Sequence, residues 1–164
     1  MKIRSVHQRE YPHPVSAIAE ILETLSSPED RLWPGEFWPP LKLNNGLAVN
    51  SAGGHGPIRY YVSAYESGRA VEFTFTRPAK FSGIHKFEIL PADDGMTALR
   101  HTVDMEVDLK TFLVWQLAFR WLHDALLEDC LDKVQNQVSE TQVRTPHSMW
   151  VDFLRNILRK KNGR

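Results

Sequence analysis

Three polar side chains fall at the apolar positions of alternating segments, and they are the residues of this sequence that could perform chemistry. His85, His101 and Tyr60 are each in step with apolar neighbours two residues away. Side chains that alternate in this way share one face of a strand. Two imidazoles and a phenol on a buried face could act as acid and base near neutral pH, or orient a phenol or keto oxygen of a bound molecule. The alternative is that each histidine is a buried residue hydrogen-bonded to a neighbour.

The turn Asp93-Asp94-Gly95 connects the predicted strands of His85 and His101. Because both histidines belong to the apolar face, the numbers of paired residues must add to an even sum, and we expect His101 opposite or diagonal to His85. Two histidines without an obvious third ligand make a poor metal site, so we expect no metal. The sequence also contains no catalytic-triad spacing, phosphate-binding loop, dinucleotide fingerprint or paired-cysteine motif, and we expect no cofactor.

The elements that must position these residues are strands. Apolar and polar residues alternate in six segments separated by Gly, Pro, Asp and Ser turns. The predicted strands are 3–9, 47–52, 58–66, 70–76, 81–90 and 97–108. The short gaps from residue 47 onward force successive strands to be antiparallel neighbours. One face of this meander is apolar, so another element must cover it.

A long helix is predicted over residues 109–138, a segment without Gly or Pro in which apolar residues recur in steps of three and four. No other element is long enough to lie along the sheet. Its first half is apolar on almost every side, which predicts that it is covered on more than one side. We expect it to contact the sheet with one face and the N-terminal helices or the aromatic loop 33–38 with another.

Two short helices are predicted after the first strand, one over 14–25 and one that begins at Ser27. A second helical pattern over 146–164 is amphipathic and ends in basic residues. We expect this helix to pack on its own domain or on a second copy of the chain, which makes a homodimer one expected partner; docking on a membrane surface is the less favoured alternative. The chain therefore divides into a domain, 1–138, and a linker with an amphipathic basic helix, 139–164.

Composition narrows the function classes. Twenty Lys and Arg balance twenty Asp and Glu in 164 residues, and a net charge of zero argues against nucleic acid as a partner. The single cysteine, Cys130, lies on the apolar stripe of the long helix and is expected in the core. The N-terminal residues contain no apolar signal region, and Gln116, Arg120 and His123 interrupt the best candidate membrane span, so we expect a cytoplasmic protein.

The order of these elements resembles that of the START-like or SRPBCC superfamily, which includes the major birch pollen allergen, aromatic polyketide cyclases and lipid-transfer domains. Four segments carry the resemblance to bacterial members of unassigned chemistry: 54–60, 65–73, 83–88 and 121–129. The resemblance implies an α+β helix-grip fold, in which a curved antiparallel sheet wraps around the long helix. The superfamily usually has seven strands, so either residues 41–50 contain a further strand or a bulge splits one long segment.

In such relatives a cavity between the sheet and the long helix holds a hydrophobic ligand. The residues expected to line it here are Tyr60, Phe73, His85, Phe87, His101, Val103, Phe112, Trp115, Phe119 and Leu122. Three functions follow from this interpretation. The favoured one is the binding of a small hydrophobic or aromatic molecule. The second is a cyclase or dehydratase of the polyketide type that uses His85, His101 and Tyr60, and the third is a protein interaction through the basic C-terminal helix.

Overall fold

The alternating segments form one seven-stranded antiparallel sheet in the computed structural model, which describes the backbone of residues 1–162 and the side chains of residues 1–158. The strands are β1 (Lys2–Tyr11), β2 (Lys42–Leu43), β3 (Ala52–His55), β4 (Ile58–Glu66), β5 (Ala70–Arg77), β6 (Ser82–Pro91) and β7 (Thr97–Glu106). Their order across the sheet is β1-β7-β6-β5-β4-β3-β2. The last six strands are a meander, and β1 closes it by pairing with β7. This arrangement confirms the predicted helix-grip α+β fold.

The seventh strand lies within residues 41–50, one of the two places considered for it, but the predicted strand 47–52 was wrong. The two-residue β2 falls within 41–50, and β3 begins at Ala52 and continues through the glycines that we had expected to form a turn. The Asn44 side chain explains the difference, since its oxygen accepts hydrogen bonds from the Ser51 hydroxyl and the Ala52 N–H. These bonds hold residues 44–51 in turns, in competition with a strand.

The helices are α1 (Val15–Glu23), α2 (Leu109–Val114), α3 (Arg120–Val138) and α4 (Met149–Asn162). A π-helical turn over Trp115–Phe119 joins α2 to α3, so the predicted long helix is continuous but contains this turn. The second short helix predicted to begin at Ser27 was wrong. The Asp30 carboxylate instead accepts hydrogen bonds from the backbone N–H groups of Ser26, Leu32 and Trp33, which satisfies these donors in a set of turns.

The core consists of two apolar clusters. The larger cluster lies between α1, the aromatic loop, the sheet and α3, and it contains Cys130 as expected. The smaller cluster lies between the sheet and the first half of the long helix, around Ile3, Met105 and Trp115. The helix therefore contacts the sheet along its whole length, while the N-terminal elements reach only its second half.

The first half of the long helix is covered mainly on its sheet side, contrary to the prediction. Leu113, Leu117 and Trp121 are about half exposed or more, with Leu117 at 66%. The aromatic loop lies against α3 instead of this half, because Lys133 Nζ donates hydrogen bonds to the Trp33 carbonyl at 2.8 Å and to the Glu36 carboxylate at 2.7 Å.

Helix α4 packs on its own domain along a narrow edge. Val151 is buried, Trp150 Nε1 donates to the Leu117 carbonyl at 3.0 Å, and the Arg155 guanidinium lies 4.5 Å from the centroid of the Trp38 ring. Other apolar residues of α4, including Phe153, stay about half exposed. The basic side chains predicted at its end, Arg159, Lys160, Lys161 and Arg164, lie outside the described side chains. Among the described residues, none of the helices is both long and apolar enough to span a membrane.

Candidate functional site

The structure brings the three predicted polar residues together. His85 pairs with Val103 and His101 with Phe87, so the two histidines are diagonal neighbours on the concave face, as the parity of their numbers predicts. His101 Nε2 lies 3.4 Å from His85 Nδ1. The Tyr60 ring meets the His85 ring edge to face, with 4.5 Å between centroids. The backbone register alone therefore assembles an imidazole pair beside a phenol.

Two further histidines belong to the same group and were not among the predicted site residues. His55 Nδ1 lies 2.9 Å from the Tyr60 hydroxyl, and the His123 ring lies 5.3 Å from the His101 ring. His55 was missed because its strand was predicted as a turn. His123 was missed because a regular α-helix would turn its side chain about 80° away from that of Trp115. We call His55, Tyr60, His85, His101 and His123 the polar row.

The polar row runs along the boundary between the two apolar clusters. On one side, the Phe73 ring stacks on the His85 ring with 4.7 Å between centroids, and the centroids of the Phe87 and His101 rings are 4.6 Å apart. On the other side, Phe75 stacks on His85 at 4.9 Å. Hydrogen-bonding groups are thus enclosed between aromatic walls, an arrangement typical of sites that orient a mostly apolar ligand through a few polar groups.

Four ring nitrogens of the row are buried without a hydrogen-bond partner among the described residues. They are Nε2 of His85, Nδ1 of His101 and both nitrogens of His123. Buried polar atoms in native proteins are nearly always paired with protein, water or ligand, and each exception calls for an explanation. Unpaired nitrogens at one place therefore mark a position where a polar group of another molecule would be stabilised.

Burial keeps the row uncharged. It lowers the pKa of His55 to about 3 and the pKa values of His85 and His101 well below the usual value. Burial also raises the pKa of Tyr60 well above its usual value. At neutral pH each imidazole therefore has one donor and one acceptor nitrogen, and the phenol keeps its proton. These groups can pair with a carbonyl or hydroxyl, or exchange a proton with it.

The apolar residues expected at the site surround the row. Phe73, Phe87, Val103 and Trp115 are buried on the concave face or the helix side that meets it. Phe112, Phe119 and Leu122 are partly buried against the same clusters. Their contact with a ligand stays a prediction.

Two surface depressions are present elsewhere. One, of about 600 Å³, lies on the outer face of the sheet across β1, β6 and β7, and is lined mostly by charged and polar residues. The other, of about 350 Å³, lies beside the end of α1. Neither lies between the sheet and the long helix, where the resemblance places a ligand.

At the β1 end of the row, His7, His123 and Asp124 bring three potential metal ligands together, the one such group found among the described residues. His7 comes from the edge strand and the other two from the start of α3. The sequence pattern did not indicate this group because His7 is more than a hundred residues from the other two members and was interpreted only as part of a weakly alternating strand.

Comparison with solved structures finds the same fold in proteins of very different sequence. Norcoclaurine synthase from Thalictrum flavum is similar with a TM-score of 0.64 at 10% identity, over 86% of this chain and 88% of that one. CalU16 from Micromonospora echinospora has a TM-score of 0.55 at 11% identity, over 96% of this chain and 83% of that one. A conserved protein of unknown function from Enterococcus faecalis has a TM-score of 0.58 at 17% identity, over 99% and 85%.

No protein-family model matches the sequence, and no curated protein matches it. At these identities the structural likeness establishes the helix-grip fold. The chemistry of the site must be argued from its own residues.

Proposed function

We propose that this protein binds a small, mostly apolar molecule between the sheet and the first half of the long helix, with a polar group of the molecule on His85 and His101. The observation that carries the proposal is the set of unpaired histidine nitrogens at the boundary of two aromatic clusters. A ligand carbonyl or hydroxyl there would remove the penalty of burying these atoms unpaired, and its apolar part would gain the contacts of the aromatic walls.

The ligand's space would be opened by an outward shift of α2 and the π turn. Apart from the Trp150 indole on the Leu117 carbonyl, this part of the helix is covered only on its sheet side, and the side chains of Leu113, Val114 and Leu117 face solvent. Its inner face contributes Phe112, Trp115 and Phe119, all residues of the predicted lining. A segment with few buried contacts is the one expected to open locally at low cost.

The comparisons support this proposal at the level of the fold. Norcoclaurine synthase and CalU16 are of the type to which the sequence resemblance points. A point mutant of norcoclaurine synthase has been solved in complex with a transition-state analogue, so the same fold accommodates a small molecule in that protein.

Native mass spectrometry of the purified protein, followed by extraction and accurate mass measurement, tests the proposal directly. We expect a co-purifying small molecule in the wild type, and the apolar dye anilinonaphthalene sulfonate should compete with it. The double variant His85→Leu/His101→Leu should bind the extracted molecule more than about tenfold more weakly, since each lost hydrogen bond is worth about 1 kcal/mol. His13→Gln, outside the row, is the control.

A ligand that binds the double leucine variant as tightly as the wild type would contradict the placement of its polar group. The absence of a co-purifying molecule, together with failure of the dye to bind the wild type, would contradict the binding function itself.

A second function is favoured by the 3.4 Å contact between His101 Nε2 and His85 Nδ1. One of these nitrogens donates a hydrogen bond and the other accepts it. When one imidazole takes a proton from a ligand, the neighbouring imidazole can accept a proton in turn, as proton transfer in a cyclase or dehydratase requires. His85→Gln/His101→Gln retains hydrogen bonding without titrating. If the protein is an enzyme, this variant should lose turnover and keep ligand affinity within about tenfold of the wild type.

A further inference from the structure

His7, His123 and Asp124 have the geometry of an incomplete coordination shell. His7 Nε2 lies 3.0 Å from Asp124 Oδ1, and His123 Nδ1 lies 3.6 Å from the same oxygen. One ligand atom from each residue can be chosen so that all lie within 4.8 Å of one another. Metal–nitrogen and metal–oxygen bonds of about 2.0–2.2 Å place neighbouring ligands about 3–3.5 Å apart in a tetrahedral site. Small side-chain rotations would bring the three atoms to that spacing.

We propose that these three residues bind a divalent transition-metal ion, with Zn²⁺ as the expected occupant. Two imidazole nitrogens and one carboxylate oxygen are a donor set that zinc accepts, and three protein ligands leave one position for water or another small molecule. The site shares His123 with the polar row but uses neither His85 nor His101, and it does not depend on the ligand proposed on those two histidines.

The state of His123 is the second observation that supports a metal. Both of its nitrogens are buried and have no hydrogen-bond partner among the described residues, since 3.6 Å to Asp124 is too long for a hydrogen bond. A metal ion between His123 and Asp124 would satisfy one of these nitrogens.

The surroundings of His7 provide the outer support that metal-bound histidines need. Its Nε2 faces Asp124, and its Nδ1 lies 3.4 Å from the Glu128 carboxylate. Arg9 Nη2 donates to the other oxygen of Glu128 at 2.9 Å and so fixes the carboxylate. Carboxylates that hold the distal N–H of a histidine ligand orient the ring and increase its basicity.

Access and charge are also compatible with an ion. Asp124 and Glu128 side chains are each 35% exposed, so the site opens to solvent on one side. Arg120 Nε lies 3.6 Å from Asp124 Oδ2, which leaves Oδ1 as the oxygen directed to the histidines. His123 meanwhile separates the site from His101, at 5.3 Å between ring centroids.

Isothermal titration of the metal-free protein with zinc sulfate tests this site. We expect one Zn²⁺ per chain, and a Co²⁺-substituted sample should show the visible absorption of a four-coordinate site. Asp124→Asn and His123→Gln should each weaken binding at least about a hundredfold, while Glu128→Gln, which removes only the outer support, should weaken it by about 10–100-fold. His147→Gln is the matched control, because His147 forms the other histidine–carboxylate pair with buried Asp129.

Retention of wild-type affinity in both Asp124→Asn and His123→Gln would overturn the assignment, as would failure of the wild type to bind zinc more tightly than surface histidines do. If a variant does not fold, nitrogen-15 spectra of the wild-type histidines decide the matter. Zinc should shift the ring resonances of His7 and His123 and leave those of His13 and His147 unchanged. Any other pattern contradicts the proposal.

Discussion

His85 is buried and His55 is partly buried among aromatic side chains, and this burial lowers the pKa of both imidazoles. In the unfolded chain the same rings titrate near 6.5. Below that pH the unfolded state binds protons that the folded state does not, so the free energy of unfolding must decrease as the pH falls. His7 acts in the opposite sense. Burial alone would lower its pKa, but Asp124 and Glu128 raise it, so its contribution is present below pH 6.5 and is lost as the pH rises.

We therefore expect acid to destabilise this protein before most carboxylates titrate. Each of the two histidines should reduce the free energy of unfolding by about 1.4 kcal/mol per pH unit below about pH 6. Urea unfolding at several pH values, with a chelator present to keep metals away, measures the slope. His55→Gln and His85→Gln should each make the slope shallower, and His13→Gln should leave it unchanged. A wild-type stability that is constant from pH 7.5 to 5.5 would contradict the argument.

Alternation along the strands was enough to predict that His85, His101 and Tyr60 share one face, because a period of two leaves only two choices for each side chain. The same reasoning could not predict the unpaired nitrogens, which depend on the tilt of each ring. It also could not predict that His7 meets His123 and Asp124, since that contact depends on how far the long helix lies along the edge strand.

At the scale of elements, the short strands β2 and β3 depend on Gly53. A Cβ atom on Gly53 would lie 1.8 Å from the Lys42 carbonyl oxygen, well inside contact distance. The strands pair through Leu43 and Gly53 at this point, so backbone must move to relieve the overlap.

Gly53→Ala should therefore destabilise the protein by about 1–3 kcal/mol, the usual cost of overpacking. Gly35→Ala is the control, because its added Cβ would make only an ordinary contact, 3.9 Å from Pro40. Hydrogen exchange of the β2 and β3 amides should become faster in Gly53→Ala and stay as in the wild type in the control. Equal stability of the two variants would contradict this account of the edge.

The aromatic loop is held on α3 by one side chain. Lys133 Nζ donates hydrogen bonds to the carbonyls of Asp30 and Trp33 and to the Glu36 carboxylate. The Lys133 side chain is 21% exposed, so these bonds are partly shielded from water.

Lys133→Met keeps the length of the side chain and removes its donors, leaving two carbonyl groups without their partner. We expect a loss of about 1.5–3 kcal/mol in the free energy of unfolding, the range for hydrogen bonds that involve a charged group. Lys110→Met, an exposed lysine on the same long helix, should change stability by less than about 0.5 kcal/mol. Tryptophan emission should also shift to the red in Lys133→Met, because Trp33 and Trp38 become more exposed. Unchanged emission and stability would show that the loop is held by its apolar contacts alone.

The two wrong element predictions share a cause. Residues 27–33 have an acceptable local pattern for a helix, and residues 47–52 have one for a strand. In each case a nearby side chain, Asp30 or Asn44, satisfies several hydrogen-bonding groups of the same stretch in turns. Helix or strand propensity and apolar periodicity do not show where side-chain hydrogen bonds to the backbone will compete with a helix or strand.

At the scale of the whole molecule, a continuous apolar surface remains uncovered. Leu117, Trp150 and Phe153 belong to it. The Trp150 indole bonds to the Leu117 carbonyl, and its ring stacks on Phe153 at 5.4 Å between centroids. Apolar surfaces of this kind on soluble proteins usually mark interaction sites. A homodimer through α4 stays the prediction for this surface.

Sedimentation velocity over a wide concentration range tests that prediction. We expect the wild type to self-associate and Phe153→Glu/Ile157→Glu to remain monomeric, because each glutamate would have to be desolvated in the contact. Lys80→Glu, an exposed change elsewhere, is the control for altered charge. A wild type that is monomeric at the highest concentration would contradict the homodimer, and vesicle flotation would then test the membrane-surface alternative.

The global architecture was predictable because meander turns, strand alternation and one long helix all require the same arrangement. The ligand was not predictable, since apolar walls are nearly interchangeable between ligands and only the polar groups are selective. The position of the aromatic loop on α3 was also missed, because apolar pattern alone does not distinguish the two halves of the helix.

The π turn also determines the direction in which the side chains of α3 point around the helix axis. In a regular α-helix, Trp115 and His123 would point about 80° apart, because each residue turns the chain by about 100°. The additional residue of the π turn reduces that difference to about 20°, so both rings lie on the side that meets the sheet, 5.6 Å apart. Straightening this turn into a regular α-helix of the same chain length would instead rotate His123 away from His101, and Asp124 away from His7. The helix side of the polar row and of the three-residue group at its end is therefore aligned by one irregular turn that directly precedes α3.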